Sequence, residues 1–487
     1  MTQQQHGILS FGAYLPWRRL QRKAIGNANA WFNPGLKGQA KGERAIANWD
    51  EDAITMGVEA ARDCLAGIDR SGIANAVLAS TTHPFADRLN VGIATGALSL
   101  NGNVSAQDVA GSMRAGTSAL IQALRADVGQ TLVMAADKRP AKAASTQEMA
   151  YGDGAAAMLV GTGEPIATLR AAHSETVDFV HQYRMHDQSH DYAWEERWIR
   201  DEGYFKIVPA AVTAALRDGG VEASAVAHFC MPCTLSRVAA GVAKKIGIPD
   251  SAVRDNLAST CGDTGAAHAL LMLAQTLETA QPGDIIVVAA FGQGCDAIVL
   301  QATDAIARRR KQGGVSAALA RRNEDGNYMR YLTINGLVDI ERGMRAEADK
   351  LTPQSTAYRN RDALQSLIGG KCRSCGTVQY PKQRYCAEPS CKALDSQDDH
   401  GFAESRATVL SYTADLLTYS PDPPAWYGMV QFEEGGRMMA DFTDVATVDV
   451  GTPMRMAFRI KDVDAARGFQ RYFWKAQPIQ QAPAKQD

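Results

Sequence analysis

The sequence predicts an α/β protein with a smaller all-β region at its C-terminal end, and three observations lead there. From about residue 7 to 340, apolar runs of strand length alternate with amphipathic helical stretches. Two strand–glycine–strand elements, "YGDGAAAMLVG" and "FGQGCDAIVL", close the first and second halves of that region, which points to an internal duplication. After about residue 345 four clustered cysteines appear, and the apolar pattern changes to period two.

In the first region "AVLAST", "TLVMAAD", "AAAMLVG", "VAHFCM" and "DIIVVAAF" read as strands buried on both faces. Helices such as "DEDAITMGVEAARDCLAG" and "YFKIVPAAVTAALRDGG" lie between them, and the alternation argues for α/β layers with largely parallel or mixed sheets. Two stretches break the pattern. "HSETVDFVHQYRMHDQSHDYAWEERWIRDEG" is rich in His, Trp and Tyr and reads as an inserted, partly irregular segment, while "ARRRKQGGVSAALARRNEDGN" is basic and turn-rich. Each is either solvated surface or a loop facing substrate or another subunit. Past the cysteines, "ATVLSYTADL", "WYGMVQFEEGGRMMADFTDV" and "PMRMAFRIKDV" alternate around glycine turns as a small β domain, and the tail "QPIQQAPAKQD" reads as disordered. The expected division is 1–345, then a linker helix with the cysteine cluster over 346–400, a β domain over 401–476 and a tail over 477–487.

The 51 Lys and Arg nearly balance the 53 Asp and Glu, so no overall field favours nucleic acid or an anionic membrane. No apolar run reaches the length of a membrane span and the start lacks a signal-peptide pattern, so the expectation is a cytoplasmic chain without membrane attachment. In a reducing compartment clustered cysteines favour metal or catalysis over disulfides. "CRSCGTVQYPKQRYCAEPSC" puts Cys372 and Cys375 on one knuckle and Cys386 and Cys391 on another, a spacing that closes a tetrahedral Cys₄ zinc site. Gly376 suits the knuckle turn. With four protein sulfurs no position is open for a reacting water, so this zinc is structural.

A zinc ribbon followed by such a β segment resembles the rubredoxin-like zinc ribbon plus OB-fold proteins that accompany thiolase-superfamily enzymes. An OB-fold alone would suit oligonucleotides, but only "RGFQRYFWK" combines basic and aromatic residues, so nucleic acid is not expected. Nine pieces in order over the first region, "GILSFGAYLP", "DEDAITMGVEAA", "ASTTHPFADRLN", "SMRAGTSAL", "MAYGDGAAAMLVG", "EGYFKIVPAAV", "MPCTLSRVAAGVAKKIG", "GDTGAAHALLML" and "QPGDIIVVAAFGQG", resemble the hydroxymethylglutaryl-CoA synthase branch of the thiolase superfamily, archaeal type above all. Ketoacyl synthase III is a more distant likeness. The resemblance implies a five-layer thiolase fold with duplicated halves, a homodimeric or higher homo-oligomeric core with room for a thiolase partner, and a CoA thioester as substrate for C–C chemistry beside a carbonyl.

The family's catalytic residues do not carry over. Its nucleophilic cysteine falls at Met113, beside Ser112; its glutamate at Thr81; its histidine at Cys230; and its asparagine at Asp263. A thioether cannot be deprotonated and is a poor acyl acceptor, so Met113 cannot form the usual acyl-enzyme. Cys261 of "TCGDTG", and Gly292, Gly294 and Cys295 of "GQGC", are expected around the same pocket, with His83 on the loop that carries the family's acid. Three readings follow. Asp263 or His83 acts as base while backbone amides near Met113 or the "GQG" turn hold an oxyanion, giving a retro-aldol or retro-Claisen lyase without a covalent intermediate. Alternatively Cys230 takes over as nucleophile of an acyltransferase, or the chain is a non-catalytic acyl-CoA-binding scaffold. Plainer roles stand beside these: Cys230 and Cys233 can pack under a strand end, Asp263 can cap the following helix, His83 can merely orient its loop, and Cys64 reads as a small core residue.

Overall fold

The structure, a computed structural model, describes residues 5–308, 312–347 and 353–479, so part of the basic segment (309–311) and the end of the expected tail (480–487) lie outside the described residues. The chain divides into two compact units, one of Met1–Asn48, Asp52–Thr95 and Leu100–Val338, the other of Trp49–Glu51, Gly96–Ser99 and Asp339–Asp487.

The first unit is built on nine strands: β1 (Gln5–Tyr14), β2 (Ile73–Ala79), β3 (Ser105–Val109), β4 (Gln130–Asp137), β5 (Gly154–Gly163), β6 (Ala167–Thr176), β7 (Val226–Cys230), β8 (Ile285–Phe291) and β9 (Gly294–Ala302). They form one mixed sheet in the order β7-β8-β9-β6-β1-β5-β4-β2-β3. The halves join where β1 pairs antiparallel with β6, Gly7 opposite Thr168 and Ile8 opposite Ala167. Four helices matter for the site: α1 (Ala53–Cys64), α2 (Ala115–Arg125), α3 (Val208–Asp218) and α4 (His268–Thr279). Helix α1 starts at a capping box in which the Asp52 carboxylate accepts the Thr55 N–H (2.9 Å) and the Thr55 hydroxyl accepts the Asp52 N–H (2.8 Å).

Period-two alternation on strands buried on both faces explains the layers. Val133 and Ala135 of β4, Ala156 and Met158 of β5, and Val288 and Ala290 of β8 share a core with Leu120 and Leu124 of α2 and Leu270 and Leu273 of α4. On the other side, Val287 and Ala289 of β8 and Ala297 and Val299 of β9 meet Val212 and Leu216 of α3. Helix α1 covers β1, β4 and β5. The order is helix, half-sheet, paired helices, half-sheet, helix: five layers with duplicated halves, as expected.

The inserted stretch after β6 forms a short hairpin, Gln182–Tyr183 with Tyr192–Ala193, then a π-helical segment, Ile199–Ile207, which runs into α3.

In the second unit a three-stranded ribbon, Ile368–Cys372 between Val378–Gln379 and Gln397–Gly401, carries the cysteines. Five more strands follow: β10 (Arg406–Asp415), β11 (Ala425–Phe432), β12 (Arg437–Asp441), β13 (Pro453–Asp464) and β14 (Phe469–Pro478). Their order is β12-β11-β10-β13-β14, and a parallel bridge between Phe442 and Ala476 links the outer strands, which is OB-fold connectivity. Strand β14 reaches Pro478, two residues into the stretch expected to be tail. Among the described residues no helix is long and apolar enough to cross a membrane.

Candidate active site

Between β3 and α2 the chain turns through Gly111 (φ +88°), Ser112 and Met113. The fully buried Asp296 of β9 fastens this turn, accepting from Arg114 Nη1 (2.7 Å), Thr117 Oγ1 (3.0 Å) and Ser118 Oγ (2.6 Å). Ser112 Oγ (2.9 Å) and Arg114 Nε (3.0 Å) both donate to the Gly292 carbonyl. A Cβ on Gly292 would lie 2.8 Å from Ser112 Oγ and 3.2 Å from Met113 Cβ, so glycine lets the two loops touch. The Met113 N–H donates to no described residue.

Met113 is a wall common to two cavities. One, of about 540 Å³, is also lined by Tyr151, His181, Tyr204, Asp263 and Phe291. The other, of about 800 Å³, is lined by Thr81, His83, Ser112, Lys138 and Arg184.

Asp263 of the first cavity is held by two partners. Its Oδ1 accepts the Gly265 N–H (2.9 Å) two residues on, while Oδ2 lies 3.0 Å from Arg139 Nη1. Asp263 does not cap the following helix, since the cap positions are Thr264 of the 3₁₀ turn and Ala267 of α4, neither with a side-chain cap. Burial works to raise its pKa, but Arg139 above all, with His268 and the Gly265 N–H, outweighs burial and holds the carboxyl below the usual range. Arg139 itself lies 3.3 Å above the Tyr151 ring centroid and 3.6 Å from Asp191. Burial pushes the Tyr151 phenol up to about 12, so it stays protonated. Burial likewise pushes His181 down to about 4, leaving a neutral imidazole.

The other sequence candidates disperse. Thr81 and His83 face the second cavity, where Thr81 donates its N–H (2.7 Å) and hydroxyl (3.0 Å) to the buried Asp137, and His83 Nε2 lies 3.3 Å from the Leu78 carbonyl oxygen. His83 and Asp263 therefore do not share a cavity. Cys230 lines neither: its side chain turns into the core beside α4, Sγ 3.1 Å from Thr276 Oγ1, and burial pushes the thiol up to about 11. Cys233 and Cys261 are also buried, each pushed up to about 12 by burial, with Cys261 Sγ set on the Leu257 and Gly262 carbonyls. Cys295, raised by burial and by its neighbour Asp296, lies behind the wall as well. Gly292 backs the Met113 turn and Gly294 packs against Glu175 and Thr176 of β6, and neither lines either cavity. Cys64 is the core residue expected. The residues that sequence reading missed are Arg139, Tyr151, His181 and Tyr204. Tyr151 opens the quoted "YGDGAAA", His181 belongs to the aromatic insertion and Tyr204 opens "YFKIVPAAVTAALRDGG", but Arg139 carried no local signal.

In the ribbon, the sulfurs of Cys372, Cys375, Cys386 and Cys391 all lie within 4.8 Å of one another, with Cys372–Cys391 at 3.9 Å and Cys375–Cys386 at 3.5 Å. A tetrahedral zinc at ~2.3 Å from each sulfur needs sulfurs about 3.8 Å apart, so the cluster fits the ion. Gly376 (φ +76°) makes the first knuckle, donating its N–H to the Cys372 carbonyl (2.8 Å). A zinc there supplies cross-linking rather than chemistry.

Comparison with known proteins assigns these regions. Residues 360–395 match the rubredoxin-like zinc ribbon domain of ChsH2, and 402–459 its C-terminal OB-fold domain. Residues 216–301 match the 3-oxoacyl-[acyl-carrier-protein] synthase III C-terminal family. Over 316 residues the chain is 31% identical to the hydroxymethylglutaryl-CoA synthase of Archaeoglobus fulgidus, covering 62% of this chain and 90% of that protein. The chain belongs to the hydroxymethylglutaryl-CoA synthase family. A second synthase of this name, from Aeropyrum pernix, is 28% identical over 349 residues, 69% of this chain and 96% of the relative. Two solved structures share the fold: a hydroxymethylglutaryl-CoA synthase complexed with CoA (TM-score 0.59, 17% identity, 70% of this chain and 92% of that one) and the 3-oxoacyl-[acyl-carrier-protein] synthase III of Aquifex aeolicus (TM-score 0.53, 20% identity, 61% and 99%).

Proposed function

We propose that the chain is an acyl-CoA enzyme that cleaves or forms the C–C bond beside a carbonyl by aldol-type chemistry, without an acyl-enzyme. The observation that carries this reading is Met113, which stands where the two cavities meet and cannot act as a nucleophile. A 3-hydroxyacyl-CoA would lie across it, one fragment on either side, and the cations Arg22 and Lys41 on the first cavity's lining suit an anionic CoA.

In the cleavage direction Asp263 accepts the proton of the 3-hydroxyl. The electrons of that O–H bond form a C=O as the C2–C3 bond breaks, and the electron pair released passes to the thioester as an enolate. Protonated Asp263 then returns its proton to C2, giving an aldehyde or ketone and a shorter acyl-CoA with no outside oxidant or reductant. The Met113 N–H supports this scheme as a donor to the enolate oxygen. The pairing with Arg139 keeps Asp263 ionised and also makes it a weak base, so the enolate needs strong stabilisation.

The test is incubation with 3-hydroxyacyl- and 3-oxoacyl-CoAs, with and without free CoA, following products and intact-protein mass. Turnover without an adduct, abolished in Asp263→Asn and kept in Cys230→Ala, is the expected result. An acyl adduct on Cys230 would point to the acyltransferase, and binding of every thioester without turnover to the scaffold. Burial of the Cys230 thiol weighs against the acyltransferase.

A further inference from the structure

The family's histidine position is occupied by Cys230, which has turned into the core, yet the cavity beside Met113 is not without an imidazole. His181 enters it from the inserted segment, a part of the chain outside the family's catalytic motifs. We propose that His181 supplies the imidazole of this active site, hydrogen-bonding the thioester oxygen of a substrate bound beside Met113.

Four observations support the role. His181 lines the same cavity as Met113, Asp263 and Tyr151. Its ring packs on Phe291, centroids 5.0 Å apart, and Phe291 immediately precedes the Gly292 that touches the Met113 turn. Its backbone is pinned on both sides: the His181 N–H donates to the Phe179 carbonyl (3.1 Å) and the His181 carbonyl accepts the Trp194 N–H (2.9 Å). Phe179 is itself stacked on Trp198, with centroids 4.1 Å apart and planes 12° from parallel. The side chain is thus held before substrate arrives, which is what an oxyanion donor requires. Finally, only 8% of the residue is exposed, so the ring is screened from bulk solvent at the cavity wall.

Its chemistry also suits the site. Burial keeps the ring neutral at pH 7. A neutral imidazole can donate a hydrogen bond to a developing enolate while adding no second charge beside Arg139 and Asp263.

The proposal rests on the acyl-CoA reading above, and two measurements on the full chain separate their fates. In turnover of a 3-hydroxyacyl-CoA, His181→Phe should lower kcat by about 10²–10³ and leave KM within about threefold, as for loss of one oxyanion donor, and His181→Gln should recover part of that loss. A kcat for His181→Phe within about threefold of wild type, with the variant folded, overturns the role. Independently, the ¹⁵N-imidazole resonances of the nine histidines, with His181 assigned by its absence from His181→Gln, should show the His181 signal moved by acetoacetyl-CoA and not by free CoA. A His181 signal unmoved by saturating acetoacetyl-CoA also overturns it. If wild type turns over no 3-hydroxyacyl-CoA, the aldol-type reading falls and the resonance alone decides His181.

Discussion

Arg139 sets the protonation of Asp263, with whose carboxylate it pairs, while burial decides that of Tyr151 and His181 beside it. Removing it should act on Asp263 in a definite direction. With Arg139 present the carboxyl is held below its ordinary range, so the base stays ionised into acid; in Arg139→Gln burial remains unopposed by that charge and the pKa rises. The acid limb of a kcat/KM profile should therefore move to higher pH, and a limb that stays in place would remove Asp263 from the role of base. Part of this was legible in the sequence. Asp263 stands inside a recognisable motif and does line the cavity. Arg139 and His181 were not legible, since the groups that make them important come from distant parts of the chain. Cys230 misled for a different reason: motif alignment fixes a position at a strand end, but not whether its side chain faces cavity or core.

At the scale of elements, the distance between Tyr151 and Asp263 is set by a strand-like pairing of two loops. Asp263 N–H donates to the Ala150 carbonyl (2.9 Å), and Gly152 N–H donates to the Asp263 carbonyl (2.9 Å). A Cβ on Gly152 would fall 1.9 Å from the Cys261 carbonyl oxygen, against backbone that cannot rotate away. Gly152→Ala should cost about 3 kcal/mol in denaturant unfolding, at the upper end for overpacking, and should lower turnover as the two loops part. The strands themselves were readable, because runs such as "TLVMAAD" are buried on both faces and leave no polar alternation to confuse them. The joining of the halves into one sheet was not, since the β1–β6 pairing rests on two long-range residue pairs with no local signature. Nor was the π-helical Ile199–Ile207: its widened turn repeats at neither of the periods that sequence reading looks for.

For the molecule as a whole, the second unit is not one continuous length of chain. It takes in Trp49–Glu51, and within it Lys475 Nζ lies 2.9 Å from the buried Asp50 carboxylate and 4.0 Å from the Trp49 ring centroid, while Arg459 lies 3.3 Å from Glu51. A linear boundary near residue 345 cannot reveal such a segment, because nothing in "NWDED" marks it as belonging with residues 400 positions later. Lys475→Met leaves Asp50 without its closest cation and should destabilise this unit by about 3–5 kcal/mol, read as an earlier chemical-unfolding transition. Metal analysis should give about one zinc per chain, and Cys372→Ser should lose it and lower the unit's melting temperature. The distribution of sulfur has one more consequence. Cys64, Cys230, Cys233, Cys261 and Cys295 are all buried, Met113 does not react as a thiol, and the only cysteines not buried, Cys375 and Cys391, are zinc ligands. An alkylating reagent added to the native protein should find the first unit silent, and its uptake should report how much of the ribbon has lost its metal.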